Sequence, residues 1–465
     1  MTDAEALMWM AERDPMLRSA FQTVTFLDGH PDVDRFRSRM ALAVDRLPRL
    51  RQRVAPSTIG PPVWEDDPDF DLGFHVRHVA LPPPGDDRQL LKLAALHLQD
   101  PFDLNRPLWQ FTIVDGLSGG RAALFAKMHH TISDGVGAVR LSAQFIDFEP
   151  SPPEPDAGVT VIPLRDPRGA AEDALVSGPV AMVLEALELL GERARLPLDL
   201  GRRAVAEVRE LVSHPSQVPR ETAEALEGAQ AAIRQILVTE PARSALWTGN
   251  RSTRRQLEVL SVDLERAKAA AHGLGGTLND LYVAGVLGGV GEYHRHFGVE
   301  VGDLRVSVPV STREDRSAGG NSFLPARLLL PAGLRDPVAR FEAVHERMAT
   351  VKGQRLSALT DAVTGMAANL PPSFILRLVR QQIDTVDFGV SNVRGSPVPL
   401  YVGGARIIAS YPMGPTAGTA CNITLLSYGS SMDIGINADA RTVEDAPLLR
   451  DLIEQSLYEL TAAGS

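Results

Sequence analysis

The stretch KMHHTISDGVGA (127–138) sets His129 beside His130 and follows them with Asp134 and Gly135. A neutral imidazole near pH 7 can take a proton from a hydroxyl or an amine and hand it to a leaving group, which is what acyl transfer from an activated ester requires. Two plainer readings also fit the motif alone: a polar turn at a strand end, and a fragment of a metal site. The metal reading is the weaker, because adjacent histidines diverge on a strand and no further His/Cys cluster offers the remaining ligands, so no metal is expected. The same divergence splits the pair. His130, nearer the turn, is better placed to face a cleft, and His129 packs on the opposite side. Asp134 stands where a helix begins and can cap it, orient the loop or pair with a distant cation. Gly135 and Gly137 give the loop its sharp turn.

Elements on either side must hold this motif. PLWQFTIVDGL and RAALFAKMHH read as strands joined through LSGG, and Val136, Val139, Ala143 and Ile146 then fall on one helical face, so the histidines sit where a strand runs into a helix. Trp109 of PLW reads as a core anchor beneath its strand. Upstream, AEALMWMAERD is helical, FQTVTFLDG is a strand, and RQLLKLAALHLQD is a further helix. A Pro- and acid-rich run from Glu149 to about Pro167 marks a linker, and a long polar helical stretch follows it to about Ala245. The second half repeats the mixed pattern, with helix TLNDLYVAGVLGGVGEYHRHF and late strands such as ARIIASYPM and NITLLSYGS. We expect an α/β architecture of mixed sheets in two similar-sized lobes, 1–150 and 251–465, with a linker and helical crossover over 151–250.

A chain of 465 residues exceeds one ordinary core. Its formal net charge of -11 argues against a nucleic-acid partner, which would need a basic face. The single cysteine, Cys421, excludes an internal disulfide framework and fits a reducing compartment; in the apolar strand ACNITLLSYG it reads as core rather than nucleophile. The N-terminal MTDAEALMWMAERD lacks the pattern of a secretory signal, so a cytoplasmic protein is expected. Apolar windows are too short to span a bilayer or are broken by Glu185 and Glu188. The apolar patch Pro371, Pro372, Phe374, Ile375, Leu376, Leu378 and Val379, with Arg377 and Arg380 beside it, suits either a lipid surface or a buried helix.

HHTISDG matches the HHxxxDG signature of acyltransferases that use coenzyme A thioesters or carrier proteins. PLWQFTIVDGL, TLNDLYVAGVLGGV, VPVSTR, GGNSFLPARLLLP and SNVRGSPVPLYVGGARI resemble, in the same order, the bacterial wax ester synthase/diacylglycerol acyltransferase family over nearly the whole chain. The resemblance implies a two-lobed chloramphenicol-acetyltransferase-like fold with a tunnel between the lobes. It implies transfer of a long-chain acyl group from acyl-CoA, a co-substrate rather than a cofactor, to a long-chain alcohol or diacylglycerol. It also implies peripheral contact with the inner membrane face or lipid inclusions.

Carried over by position, the base is His130, His129 is its supporting neighbour, and Asp134 holds the loop, with Arg313 of VPVSTR as a suggested partner. Gly135, Asn279, Asp280, Ser391 and Asn392 are substrate or oxyanion candidates, although Asn279 also reads as part of a helix start capped by Thr277. Arg251, Arg254 and Arg255 offer forks for the phosphates of CoA, or form a solvated loop. The chain departs from the family's pattern at Met16–Arg18, at Arg394 and at Tyr282, positions that bear on substrate range. Two other functions stay open: an HHxxxDG acyltransferase with another alcohol or an amine as acceptor, and a non-catalytic acyl-CoA or lipid-binding protein.

Overall fold

The computed structural model describes residues 1, 3–57, 62–133, 141–151, 244–249, 251–311, 323–352, 380 and 383–464, and among them two six-stranded sheets set the architecture. The chain opens with α1 (Asp3–Ala11), β1 (Ala20–Leu27), α2 (Val33–Arg46), a short β2 and β3 pair (Gln52–Ala55, Val63–Asp66) and α3 (Leu72–His75). Next come β4 (Val76–Ala80), α4 (Asp87–Gln99), β5 (Trp109–Asp115) and β6 (Ala122–His129). In the second half follow β7 (Arg255–Asp263), α5 (Leu264–Gly273), α6 (Leu278–His296), β8 (Asp303–Ser311), β9 (Phe323–Pro331) and α7 (Pro337–Lys352). The chain then runs through β10 (Phe388–Arg394), β11 (Tyr401–Val402), β12 (Ala405–Met413), β13 (Cys421–Tyr428), β14 (Ser431–Asp439) and α8 (Ala446–Ala463).

Strand order is β11-β12-β1-β6-β5-β4 in the first sheet and β7-β14-β13-β10-β8-β9 in the second. Both sheets mix directions: β4 runs parallel to β5, and β10 runs parallel to β8 and β13. β5 and β6 are covered on both faces, which is why they read as nearly continuous apolar runs rather than alternating ones. Capping boxes start α4 (Asp86 with Gln89) and α6 (Thr277 with Asp280), satisfying the exposed first-turn amides. The glycines of α6 let it lie directly on α8; a Cβ at Gly289 would stand 2.5 Å from the Ile453 backbone.

The expected boundaries do not divide the sheets. β11 and β12 come from the 251–465 stretch yet belong to the first sheet, where β12 pairs antiparallel with β1 from Gln22↔Met413 to Phe26↔Ala409. β1 is nearly fully covered, so its backbone needs a hydrogen-bonded neighbour on each side, and β12 supplies the one that β6 does not. The lobes also share a core. Phe26, Leu91 and Phe125 of the first pack with Leu257 and Met413 of the second half, and the Arg88 guanidinium forks the buried Glu258 carboxylate across the junction.

Asp433 fastens the same junction from inside. Its carboxylate accepts from Ser410 N on β12 (2.8 Å), Ser261 Oγ on β7 (2.8 Å) and Ser431 Oγ (2.6 Å), while burial raises its pKa. Asp433→Ala takes the carboxylate away from three donors, of which Ser261 keeps the Tyr411 hydroxyl (3.0 Å), and urea denaturation is expected to show a loss of about 3 kcal/mol. No helix among the described residues is long and apolar enough to cross a membrane.

Candidate active site

β6 delivers the two histidines at its C-terminal end and the backbone there is pinned on both sides. The His129 N–H donates to Leu108 O of the PLW segment (3.0 Å), the His130 N–H donates to Ser19 O just before β1 (3.1 Å), and Ile132 N turns back to His129 O (2.9 Å). Trp109 anchors this end: it is fully buried, its indole N–H donates to Leu50 O (2.7 Å), and it stacks on His75 with centroids 4.5 Å apart.

The two rings go to different surroundings. His130 tilts against Phe21, centroids 4.8 Å apart, and keeps partial access to solvent. Burial first, and the neighbouring His129 second, push its pKa down to about 4, so the ring is neutral at pH 7. His129 is fully buried. Its Nδ1 accepts the Thr131 N–H (3.1 Å) and lies 2.8 Å from Thr131 Oγ1, which leaves the proton on Nε2, where it is donated to Glu12 Oε2 at 3.0 Å.

Sequence patterning singled out neither Glu12 nor Lys127, which packs beside His129. Glu12 directly follows α1, with its carboxylate nearly sealed from solvent and Arg18 Nε 4.0 Å away. Lys127, two residues before His129, buries its ammonium against His97 O (2.7 Å) and Asp100 O (2.5 Å), closing the last turn of α4, and lies 4.7 Å from the Phe102 ring centroid. Desolvation lowers its pKa to about 8. The available signal was a charged residue inside an otherwise apolar run, which marks burial without naming the partner.

From the second half the structure brings Asn279 and Asn392 together, the Asn392 amide donating to Asn279 Oδ1 at 3.1 Å. Asp280 is committed to the helix start: its Oδ2 accepts from Thr277 N (2.9 Å) and Thr277 Oγ1 (2.8 Å), and lies 2.8 Å from His345 Nδ1. Ser391 lies half-buried on β10, opposite Thr424 of β13. The hydroxyl of the buried Tyr282 donates to Ile423 O (2.7 Å), which ties α6 to β13 from inside the core. In the basic loop, Arg251 Nε donates to Gly418 O (3.2 Å) and Arg255 Nη1 to Ser252 O (2.9 Å), both half-buried, while Arg254 is exposed. Arg255 also lines, with Arg18 and Asn437, a small cavity of about 30 Å³ at the seam of the two sheets. Cys421 is sealed in the core and burial pushes its thiol up to about 12. Asp134, Gly135, Gly137, Arg313, the 371–379 run and most of the expected crossover lie outside the described residues.

Comparison with known proteins agrees along the chain. The wax ester synthase/diacylglycerol acyltransferase catalytic domain matches residues 1–282 and the WS/DGAT C-terminal domain matches residues 319–461. Two Mycobacterium tuberculosis proteins, both provisionally named diacylglycerol O-acyltransferases, are similar: one is 32% identical, covering 98% of this chain and 90% of its own, and the other, tgs1, is 28% identical, covering 93% and 89%. Among solved structures, the wax ester synthase/diacylglycerol acyltransferase of Marinobacter aquaeolei VT8 superposes with a TM-score of 0.62 at 21% identity, over 96% of this chain and 95% of that one. The first condensation domain of the calcium-dependent antibiotic synthetase gives 0.59 at 19% identity, over 100% and 95%. The fold is thus the two-lobed one these proteins share, and the chain belongs to the wax ester synthase/diacylglycerol acyltransferase family of acyltransferases.

Proposed function

We propose that this protein moves a long-chain acyl group from acyl-CoA to diacylglycerol or a long-chain alcohol, with His130 as general base. His130 takes the acceptor hydroxyl proton, the oxygen attacks the thioester carbonyl, and collapse of the tetrahedral intermediate breaks the C–S bond; the imidazolium then protonates the CoA thiolate. No acyl-enzyme forms. The observation that carries this reading is a neutral imidazole, partly open to solvent, at the end of a strand whose backbone is tied on both sides. The names of the mycobacterial relatives favour diacylglycerol, and a condensation domain of rhizomide synthetase, of similar fold, has been solved with C8-CoA. In this reading Asn279, oriented by Asn392, faces the developing oxyanion, Arg254 reaches a CoA phosphate, Asp134 holds the catalytic loop, and the lobes enclose the tunnel where the substrates meet.

The test is thiol release from palmitoyl-CoA with diacylglycerol, hexadecanol or a long-chain amine as acceptor. Release that needs an alcohol or diacylglycerol is expected. Release with amine alone would assign another acceptor class, and binding without turnover on any acceptor would make this a lipid-binding protein. Because the free-enzyme His130 stays neutral until its lowered pKa is reached, kcat/KM is expected to hold steady from pH 8 to about 5 and to halve near about pH 4 in brief-exposure assays. An acid limb centred near the ordinary histidine value of about 6.5 would contradict the desolvated site.

A further inference from the structure

We infer that Glu12 is a positioning residue for the reaction, clamping the His129–His130 pair through a single carboxylate oxygen; the inference rests on His130 being the base. Glu12 Oε2 accepts both the His129 Nε2–H and the Ser19 N–H, each at 3.0 Å. The carbonyl of that same Ser19 accepts the His130 N–H at 3.1 Å. One oxygen thus fixes the side chain of the first histidine and, through one residue, the backbone of the second. The clamp also reaches across the fold, since Glu12 and His129 are 117 residues apart in the chain.

Burial makes such a carboxylate expensive unless its lone pairs are filled. Glu12 is 6% exposed, with the Arg18 guanidinium 4.0 Å away, and the two N–H donors fill the lone pairs of Oε2. With Thr131 occupying Nδ1 and Glu12 occupying Nε2, the His129 ring can neither rotate nor exchange protons with substrate. Proton transfer is left to His130. Loss of the clamp lets the β1 approach and the end of β6 drift, and a displacement of about 1 Å at a reacting group costs about a hundredfold in rate.

Glu12→Ala is expected to lower kcat about 30- to 100-fold, leaving both KM values within about twofold, and Glu12→Gln, whose amide oxygen can accept the same N–H groups, to recover to within about fivefold of wild type. In a cycle with His129→Gln, the second substitution is expected to cost less than about threefold, because the two residues act as one unit. Additive losses, or a Glu12→Ala kcat within about threefold of wild type, would overturn the clamp. A readout free of turnover covers variants that do not fold: ¹⁵N NMR of histidine-labelled wild type, assigned with His129→Gln, is expected to show His129 protonated on Nε2. The Nδ1–H form would refute the clamp. Wild type that turns over no acyl-CoA with any acceptor sinks the acyltransferase reading instead, and leaves the tautomer result standing on its own.

Discussion

His130→Ala is expected to lower acyl-CoA turnover by about a thousandfold, the middle of the range for removing a positioned proton carrier. The loss should fall on kcat with KM little changed, because in the proposed mechanism the imidazole acts on the hydroxyl proton and the departing sulfur and takes no part in holding the acyl chain or the nucleotide. Stability should barely move. The ring is partly open and tilts against Phe21, and the backbone link to Ser19 O survives the substitution. Thiol release under saturating palmitoyl-CoA, with thermal melting alongside, checks both halves. Full activity in this variant would remove His130 from the mechanism, and a collapse in melting temperature would make it a structural residue.

Acid should unfold this protein between about pH 5 and 4, driven chiefly by its buried histidines. His75 is held at about 4, His97 at about 3 and His130 at about 4, in each case chiefly by desolvation. His75 gives its Nδ1 to Trp109 O (2.7 Å) inside an aromatic stack, and His97 gives its Nδ1 to Gln22 Oε1 (2.6 Å) beneath α4. A histidine whose folded pKa is depressed binds fewer protons folded than unfolded. Its contribution is therefore fully present above about pH 6.5 and is lost as pH falls toward the folded value. Asp433 and Asp147, raised by burial, work the other way, while Asp14, Asp115 and Glu292, lowered by their partners, add to the loss at still lower pH. Together the three histidines remove on the order of 5–10 kcal/mol between pH 7 and 4, as much as a whole domain's stability. Tryptophan fluorescence against pH should show cooperative unfolding between about pH 5 and 4. A melting temperature constant from pH 7 to 4.5 would mean that these histidines are not desolvated.

Local features were legible where local physics decides them. The apolar runs of β5 and β6 announce strands covered on both faces, and TLND announces a helix start, since Thr277 and Asp280 are three residues apart and close their own capping box. ARIIASYPM reads as a strand, but nothing in its alternation says which sheet it joins; the Thr25–Ser410 hydroxyl pair spans 385 positions. Glu12 was illegible for the same reason, being defined as a partner by a residue 117 positions away. Tyr282 stood out as a departure, and its position in the core shows a phenol whose hydroxyl donates to the backbone of β13, at Ile423 O. Such partnerships exist only after assembly, so no periodicity records them.

The strand that crosses from the second half into the first sheet bears on how the halves resist being pulled apart. Besides the covalent connection, the β1–β12 ladder, the shared apolar core and the Arg88–Glu258 fork tie them together. Hydrogen bonds lying side by side along two antiparallel strands share a sliding load and must break together. The borrowed strand therefore keeps the seam between the sheets in register under shear.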